Sequence, residues 1–337
     1  MANGGFIGKR LVPNLGSAKG VWTANELYHA RLDGIWPLEI VEVVTDFLII
    51  AGGGGGGSTT SMPGGGAGGY LNSYGSEASG RNSASLSTMV LQIFNNYAVT
   101  IGAGGSANNN GSNSSFSGTD SSGNAVSYTA IGGGAGHNDG NGNSGGSGGA
   151  SGVNSSDSKA TFTPGSGTSN QGFDGGLSRG EAENQNLCNA MGGEFCECDD
   201  EVGGGGGGAG GAGVNATQRS AGTNMYSGAG GAGLASSITG TSVTRAAGGS
   251  GRGITNTSGH GFTTTAMPTG SGPSSPGGGG RGGSTDSTGG NGIIILRYPN
   301  VWSLSNPGGG LTISTAADGS DKVSSITAGT GNIQFGV

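Results

Sequence analysis

Apolar residues along this chain gather at its two ends, and between them polar loops alternate with runs of glycine. Near the start, Thr23-Ala24-Asn25-Glu26 has the S/T-x-x-E spacing in which a hydroxyl and a carboxylate cap backbone amides, and Leu27, Tyr28 and Leu32 follow on a helical period up to Gly34. The spacing predicts a short helix over 24–33. Pro37 blocks its continuation, and Leu38 to Ile50 is β-branched and partly alternating, the pattern of one or two strands. Toward the other end, Ile293 to Tyr298 reads as a buried strand after the Asn291-Gly292 turn. Leu311–Ser314 and Val323–Thr327 alternate on either side of Asp318-Gly319, as in a hairpin. Trp22, Trp36 and Trp302 all fall in these flanks, which places the expected hydrophobic core there too.

The middle is built differently. Glycine supplies 83 of 337 residues, in runs such as Gly52–Gly57, Gly64–Gly69, Gly132–Gly136, Gly203–Gly213, Gly228–Gly233 and Gly277–Gly283, all but the first of these broken by alanine or arginine. Irregular spacing excludes a strict solenoid, and the absence of a Gly-X-Y period excludes collagen. With only 31% hydrophobic residues, such a chain buries too little apolar surface to offset backbone ordering of about 1–2 kcal/mol per residue. A flexible glycine-serine tether between two small domains is the simplest alternative. Apolar segments abut the runs, however, as in Phe47–Ala51, Tyr128–Ile131 and Ile293–Leu296, and linkers carry none. One ordered solution exists: threefold glycine helices have no side chain on any face, so they pack closely enough for N–H and C=O groups of neighbours to bond each other. Alanine is then expected only where a position faces outward. The expected fold is therefore mostly β and irregular: a polyglycine II helix bundle, or sandwich, flanked by short β-strands, with one short N-terminal helix. Composition divides it into an N-terminal segment with a short helix and strand (1–50), a glycine-rich body with loops (51–292) and C-terminal β-strands (293–337).

Charge narrows the partners. Thirteen Lys+Arg against twenty Asp+Glu give a net charge of −7 with no basic stripe, which excludes nucleic acid. The longest apolar run, Leu38 to Ala51, is interrupted by Glu39, Glu42 and Asp46, so no membrane insertion is expected, and the first residues have no apolar signal-peptide core.

The residues that carry chemistry point away from catalysis. Cys188, Cys196 and Cys198, followed by Asp199-Asp200-Glu201, admit three readings: a small disulfide-closed loop, a metal site without the usual C-x2-C spacing, or a variable acidic loop. His29 belongs to the predicted helix, and His137 and His260 have no carboxylate at a triad's spacing. Asp139-Gly140-Asn141-Gly142-Asn143 starts like a calcium loop, but Ser144 replaces the turn glycine and Ala150 the closing glutamate. Neighbouring acids such as Glu181 and Glu183 read as solvated. The expectation is a non-enzymatic protein with no cofactor and no metal.

The non-glycine words around the runs are more specific than the runs. Gly20-Val21-Trp22-Thr23-Ala24-Asn25-Glu26-Leu27-Tyr28, Trp36-Pro37, Phe47-Leu48-Ile49-Ile50-Ala51 with its glycine run, Gly64 to Tyr70, Val99 to Gly105, Gly111 to Phe116 and Gly290 to Tyr298 occur in the order seen in the glycine-rich tail-fibre and adhesin proteins of tailed bacteriophages, marine cyanophages especially, which this chain resembles over about residues 20–298. The stretch Glu181 to Glu201 matches no motif of that family. The resemblance implies a virion protein at the tail, made in the host cytoplasm, with stacked polyglycine helices and loop tips that touch a host cell-surface receptor. Other virion tail proteins are the expected partners of residues 1–50, and a homo-oligomer, a trimer, is an open expectation. Aromatic rings supply binding area at low entropic cost, so Phe116, His137, Phe173, Phe195, Tyr226 and Phe262, in polar stretches, are the candidate receptor-binding residues. The same residues can instead pack against neighbouring subunits, in a purely structural nozzle, adaptor or decoration protein.

Overall fold

The computed structural model describes residues 42–59, 62–153, 162–179, 201–218, 225–253, 275–283 and 287–337. The predicted helix at 24–33, Trp22 and Trp36 lie outside the described residues. The chain divides between Glu42 and Val43 into two units, and all the described residues except Glu42 belong to the second. The described part is mostly β, with no α-helix and a single short 3-10 turn at Gly80–Asn82.

Ten strands form one antiparallel sheet: β1 (Glu42–Ile50), β2 (Tyr70–Asn72), β3 (Met89–Gln92), β4 (Asn96–Thr100), β5 (Ser114–Thr119), β6 (Ala125–Ala130), and later β11 (Ile293–Pro299), β12 (Ser303–Ser305), β13 (Leu311–Asp318) and β14 (Asp321–Gly336). Two small pairs stand apart, β7 (Thr217–Gln218) with β8 (Met225–Tyr226) and β9 (Leu234–Ser236) with β10 (Val243–Arg245). The β-branched runs read from sequence find each other: Leu48 sits opposite Ile295, Ile49 opposite Ile294, and Ile294 opposite Ile326. The sixteen-residue β14 joins the two halves of the sheet, with its first part between β11 and β13 and its last part between β4 and β12. Gly329, where it passes from one half to the other, has φ +100, a conformation that side chains disfavour. Strands from all three compositional zones thus share one sheet.

The core is shared in the same way, which corrects the expectation that it lies in the flanks. Leu48, Ile50, Ile293, Ile295 and Val323 from the sheet pack with Ala67, Tyr70, Ala209, Ile238 and Ala246 from the glycine-rich body. Each fully buried leucine or isoleucine contributes about 1.5–3 kcal/mol relative to exposure. Trp302 is only half-buried. Aromatic pairs complete the interior, with ring centroids 4.5 Å apart for Phe47 and Tyr128 and 5.0 Å apart for Tyr298 and Phe335.

Within the body, backbone partners repeat every third residue. Gly52 and Gly55 donate to the carbonyls of Ser112 and Asn109, Gly53 and Gly56 to those of Gly290 and Ser287, and Gly54 and Gly57 to those of Gly66 and Pro63, all at 2.7–3.0 Å. Their carbonyls accept on the same period: Gly133 and Gly136 donate to Gly52 and Gly55, Gly105 and Asn108 to Gly53 and Gly56, and Gly280 and Gly283 to Gly54 and Gly57. The run therefore has six neighbouring segments, whereas a β-strand has two and alternates with period two. Gly64–Gly69 repeats the arrangement: Gly64 and Ala67 donate to Gly204 and Gly207, Gly65 and Gly68 to Gly280 and Gly277, and Gly66 and Gly69 to Gly134 and Ile131. The approach is close enough that a Cβ on Gly52, Gly53, Gly54 or Gly66 would overlap a neighbouring carbonyl.

Alanine departs from expectation. Ala67, Ala135, Ala150 and Ala209 are fully buried, and Ala67 and Ala209 point their methyls into the apolar core instead of outward. The condition for alanine is that its Cβ avoids another glycine segment, which the core satisfies as well as solvent does; Ala212 and Ala232 illustrate the exposed case.

Where a run lacks a neighbour, a side-chain amide supplies the missing oxygen. Asn110 Oδ1 accepts from the Ala135 N–H at 2.9 Å, Asn113 Oδ1 from Gly132 at 2.8 Å, Asn291 Oδ1 from Gly104 at 3.0 Å, and Asn215 Oδ1 from Leu177 at 2.8 Å. Gln171 accepts from the Ile131 N–H and donates to the Thr129 carbonyl at the end of β6. For the buried Gly132 and Ala135, these bonds satisfy donors that burial would otherwise leave unpaired at a cost of about 1–3 kcal/mol each.

Candidate functional site

The register of the runs gives the body two ends. From Ile50 the chain leaves the sheet through Gly52–Gly57, reverses at 58–62 and returns through Gly64–Gly69 into β2. The segments 102–105 and 109–112 do the same around 106–108, and 132–136 leaves β6 to reverse at 137–141. Because Gly57, Asn108, Gly136 and Gly283 are all bonded near the same point of the first run, these reversals share the end opposite the sheet. Arg179, Val202 and Gly253, joined by antiparallel bridges, lie at that end too.

Side chains collect there because the glycine segments have none. At the tip, Asn138 Oδ1 accepts from the Thr59 N–H at 3.3 Å, tying one reversal to the next. The Met62 carbonyl accepts from the Arg252 N–H at 3.0 Å, and Met62 holds φ +40. His137 is half-buried; its N–H donates to the Ala150 carbonyl, and its Nδ1 is buried without a hydrogen-bond partner among the described residues. Asp139 is exposed beside it.

The six aromatic candidates divide four ways. His137 and the half-buried Tyr226, whose strand pairs with Thr217, stand at the tip end. Phe116 does not: it is fully buried in β5, stacked on Tyr97 with centroids 5.6 Å apart and planes 17° apart, so its ring is a core ring. Phe173 lies at the sheet end, where its N–H donates to the Gly208 carbonyl and the Arg81 guanidinium covers its ring at 5.2 Å from the centroid. Arg81 also donates to the Gly172 carbonyl and to Asp174, so it is held over that ring. Phe195, Phe262 and the three cysteines Cys188, Cys196 and Cys198 lie outside the described residues. Alternation explains the misplacement of Phe116, which sits in Ser114–Thr119, a polar stretch that folds as a strand with every second residue inward. Sequence pattern does not single out Thr59, Met62 and Asn138, although their place between two glycine runs marks them as reversal residues.

No group of three or more His, Cys, Asp or Glu residues able to hold a metal occurs among the described residues, and no described helix is long and apolar enough to cross a membrane. What the tip end offers is a surface of short polar reversals on a scaffold of closely packed, hydrogen-bonded glycine segments. The glycine-rich domain family matches residues 38–299, the sheet-forming β1 through β11. The chain belongs to that family. No curated protein and no solved structure matches it.

Proposed function

We propose that this protein is a non-enzymatic virion component of a bacteriophage tail whose glycine segments are polyglycine II helices and whose tip end meets a host cell-surface receptor. The three-residue period of partners and the six neighbours of Gly52–Gly57 support the helix reading, since a threefold helix presents its N–H groups in three directions. The observation that carries the recognition reading is the separation of roles. A Cβ cannot be added to the inner glycines, so sequence variety is admitted mainly at reversals, and several of these, 106–108 and 137–141 among them, gather at one end. A rigid scaffold with variable loops at one end is the common arrangement for recognition. In this reading residues 1–50, the last nine of them in β1, provide the attachment to other tail proteins.

A structural role without receptor contact is the second reading, and the burial of Phe116 in the core and the cover of Arg81 over Phe173 favour it. Adsorption separates the two. Phage particles carrying the reversals 58–62 and 137–141 and the connections 154–161, 180–200 and 219–224 from a relative with another host are expected to change host while the protein keeps its melting temperature. Unchanged adsorption by particles that incorporate the exchanged protein would leave the structural reading.

A further inference from the structure

Among the described residues, β13 is the longest strand with a bare edge. It pairs only with β14, and Thr312, Ser314, Thr315, Ala316 and Ala317 are exposed, so both faces and the outer edge of the strand meet solvent. The sheet's other terminal strands are shorter: β2 and β12 have three residues each, β3 has four, and β6 has six with Gln171 bonded at its end. Between Ile313 and Ala317, alternate N–H and C=O groups of β13 point away from β14 and find no partner among the described residues.

Exposed edges in monomeric proteins carry lysine, proline, a bulge or too few residues to pair. β13 has no Lys, Arg or Pro. Its one bulge, between Thr312 and Ile313, leaves Ile313 to Asp318 in regular register. Its only charge, Asp318, is already engaged by Arg297 at 2.7 Å. An occupant must therefore be an uncharged extended strand of similar length, and the chain itself offers one.

We propose that the occupant is β13 of a second copy of this chain, added antiparallel across a twofold axis normal to the sheet. Such an axis keeps each face on its own side, so serine, threonine and alanine oppose one another, and pairing centred on Ser314, Thr315 or Ala316 brings no two carboxylates together. The junction closes at two copies, not the three admitted from sequence. It holds whichever role the tip end plays, because β13 lies in the sheet.

The test uses the full chain. Sedimentation at micromolar concentration is expected to give a dimer for the native protein and a monomer for Ser314→Lys/Ala316→Lys and for Ser314→Glu/Ala316→Glu, since like charges then face each other across the junction. Mixing the two variants is expected to restore the dimer. A native monomer or trimer, or charged variants that dimerise unchanged, would overturn the proposal. Amide exchange in the native protein is a check free of mutation: the outward N–H groups of residues 313–317 are expected to be as slow as those facing β14, and at least tenfold faster exchange would equally overturn it.

Discussion

The N–H of Gly54 donates to the carbonyl of Gly66 at 2.8 Å, in a position where a methyl group on Gly54 would overlap the carbonyl of Gly134. Backbone stands on both sides, so no rotamer change relieves the overlap. Gly54→Val and Gly66→Val are expected to lose at least about 3 kcal/mol, at the upper end of overpacking costs, and to yield little folded protein. Gly123, at φ +84 with nothing within 4 Å of its would-be Cβ, is the control. Gly123→Asn should cost about 1 kcal/mol or less, as asparagine tolerates that backbone region. Denaturant unfolding of the three variants measures the contrast.

Arg297 holds Asp318 at 2.7 Å and Asp321 at 2.8 Å, donates to the Ile238 carbonyl, and lies 5.5 Å from the Tyr74 ring centroid. The arginine is mostly buried while both carboxylates keep some solvent, so Arg297→Ala is expected to cost about 1–3 kcal/mol, between exposed and fully buried pairs. Arg297→Lys should recover less than half of it, because a point charge cannot bridge two carboxylates as a planar fork does. Thermal melts at low and high salt check both.

Asparagines at the body's margin act as surrogate carbonyls. Asn110 Oδ1 serves the Ala135 N–H and Asn143 Nδ2, both at 2.9 Å. Asn110→Ala is expected to cost about 1–3 kcal/mol through the unpaired Ala135 amide, and Asn110→Asp, which keeps the acceptor, clearly less. Amide exchange at Ala135 reports the same loss locally.

Burial pushes the Asp46 carboxyl above its ordinary 3.8; the Ser73 hydroxyl and then Arg297 pull it part of the way back, and Asp321 adds to the rise. The folded state thus binds this proton more tightly than the unfolded chain. Its contribution is most favourable below the unfolded value and declines as pH rises through the raised folded one. Asp46→Asn keeps an acceptor toward Ser73 without the buried charge, so the variant should melt higher than the native protein at pH 7 and no higher at pH 3. A gain confined to acid would reverse the sign and refute the assignment.

Local pattern made the strands legible. Ile293 to Tyr298 and the hairpin around Asp318-Gly319 fold as β11, β13 and β14, and Gly319 takes φ +63 at that turn as an Asp-Gly signal requires. Pairing between distant segments was not legible, because nothing near Gly53 in sequence specifies that its partner is Gly290. The surrogate asparagines looked like ordinary loop residues for the same reason: the donors that Asn113 and Asn215 serve belong to segments 19 and 38 residues away. Phe116 illustrates the limit at the candidate site, where polar neighbours suggested a loop and only strand alternation, visible once β4 pairs it, turns the ring inward.

The six neighbours of Gly52–Gly57 come from stretches spread between Pro63 and Gly290. A ribosome that has released the first run must still deliver more than two hundred residues before the last of those partners exists. Until then its N–H and C=O groups have only water, and the entropic cost of closing such long loops precedes any return. Order in this molecule is therefore a late event of synthesis: a chain cut short anywhere before β11 should remain unstructured and sensitive to protease through most of the glycine-rich body, with no stable half-molecule along the way.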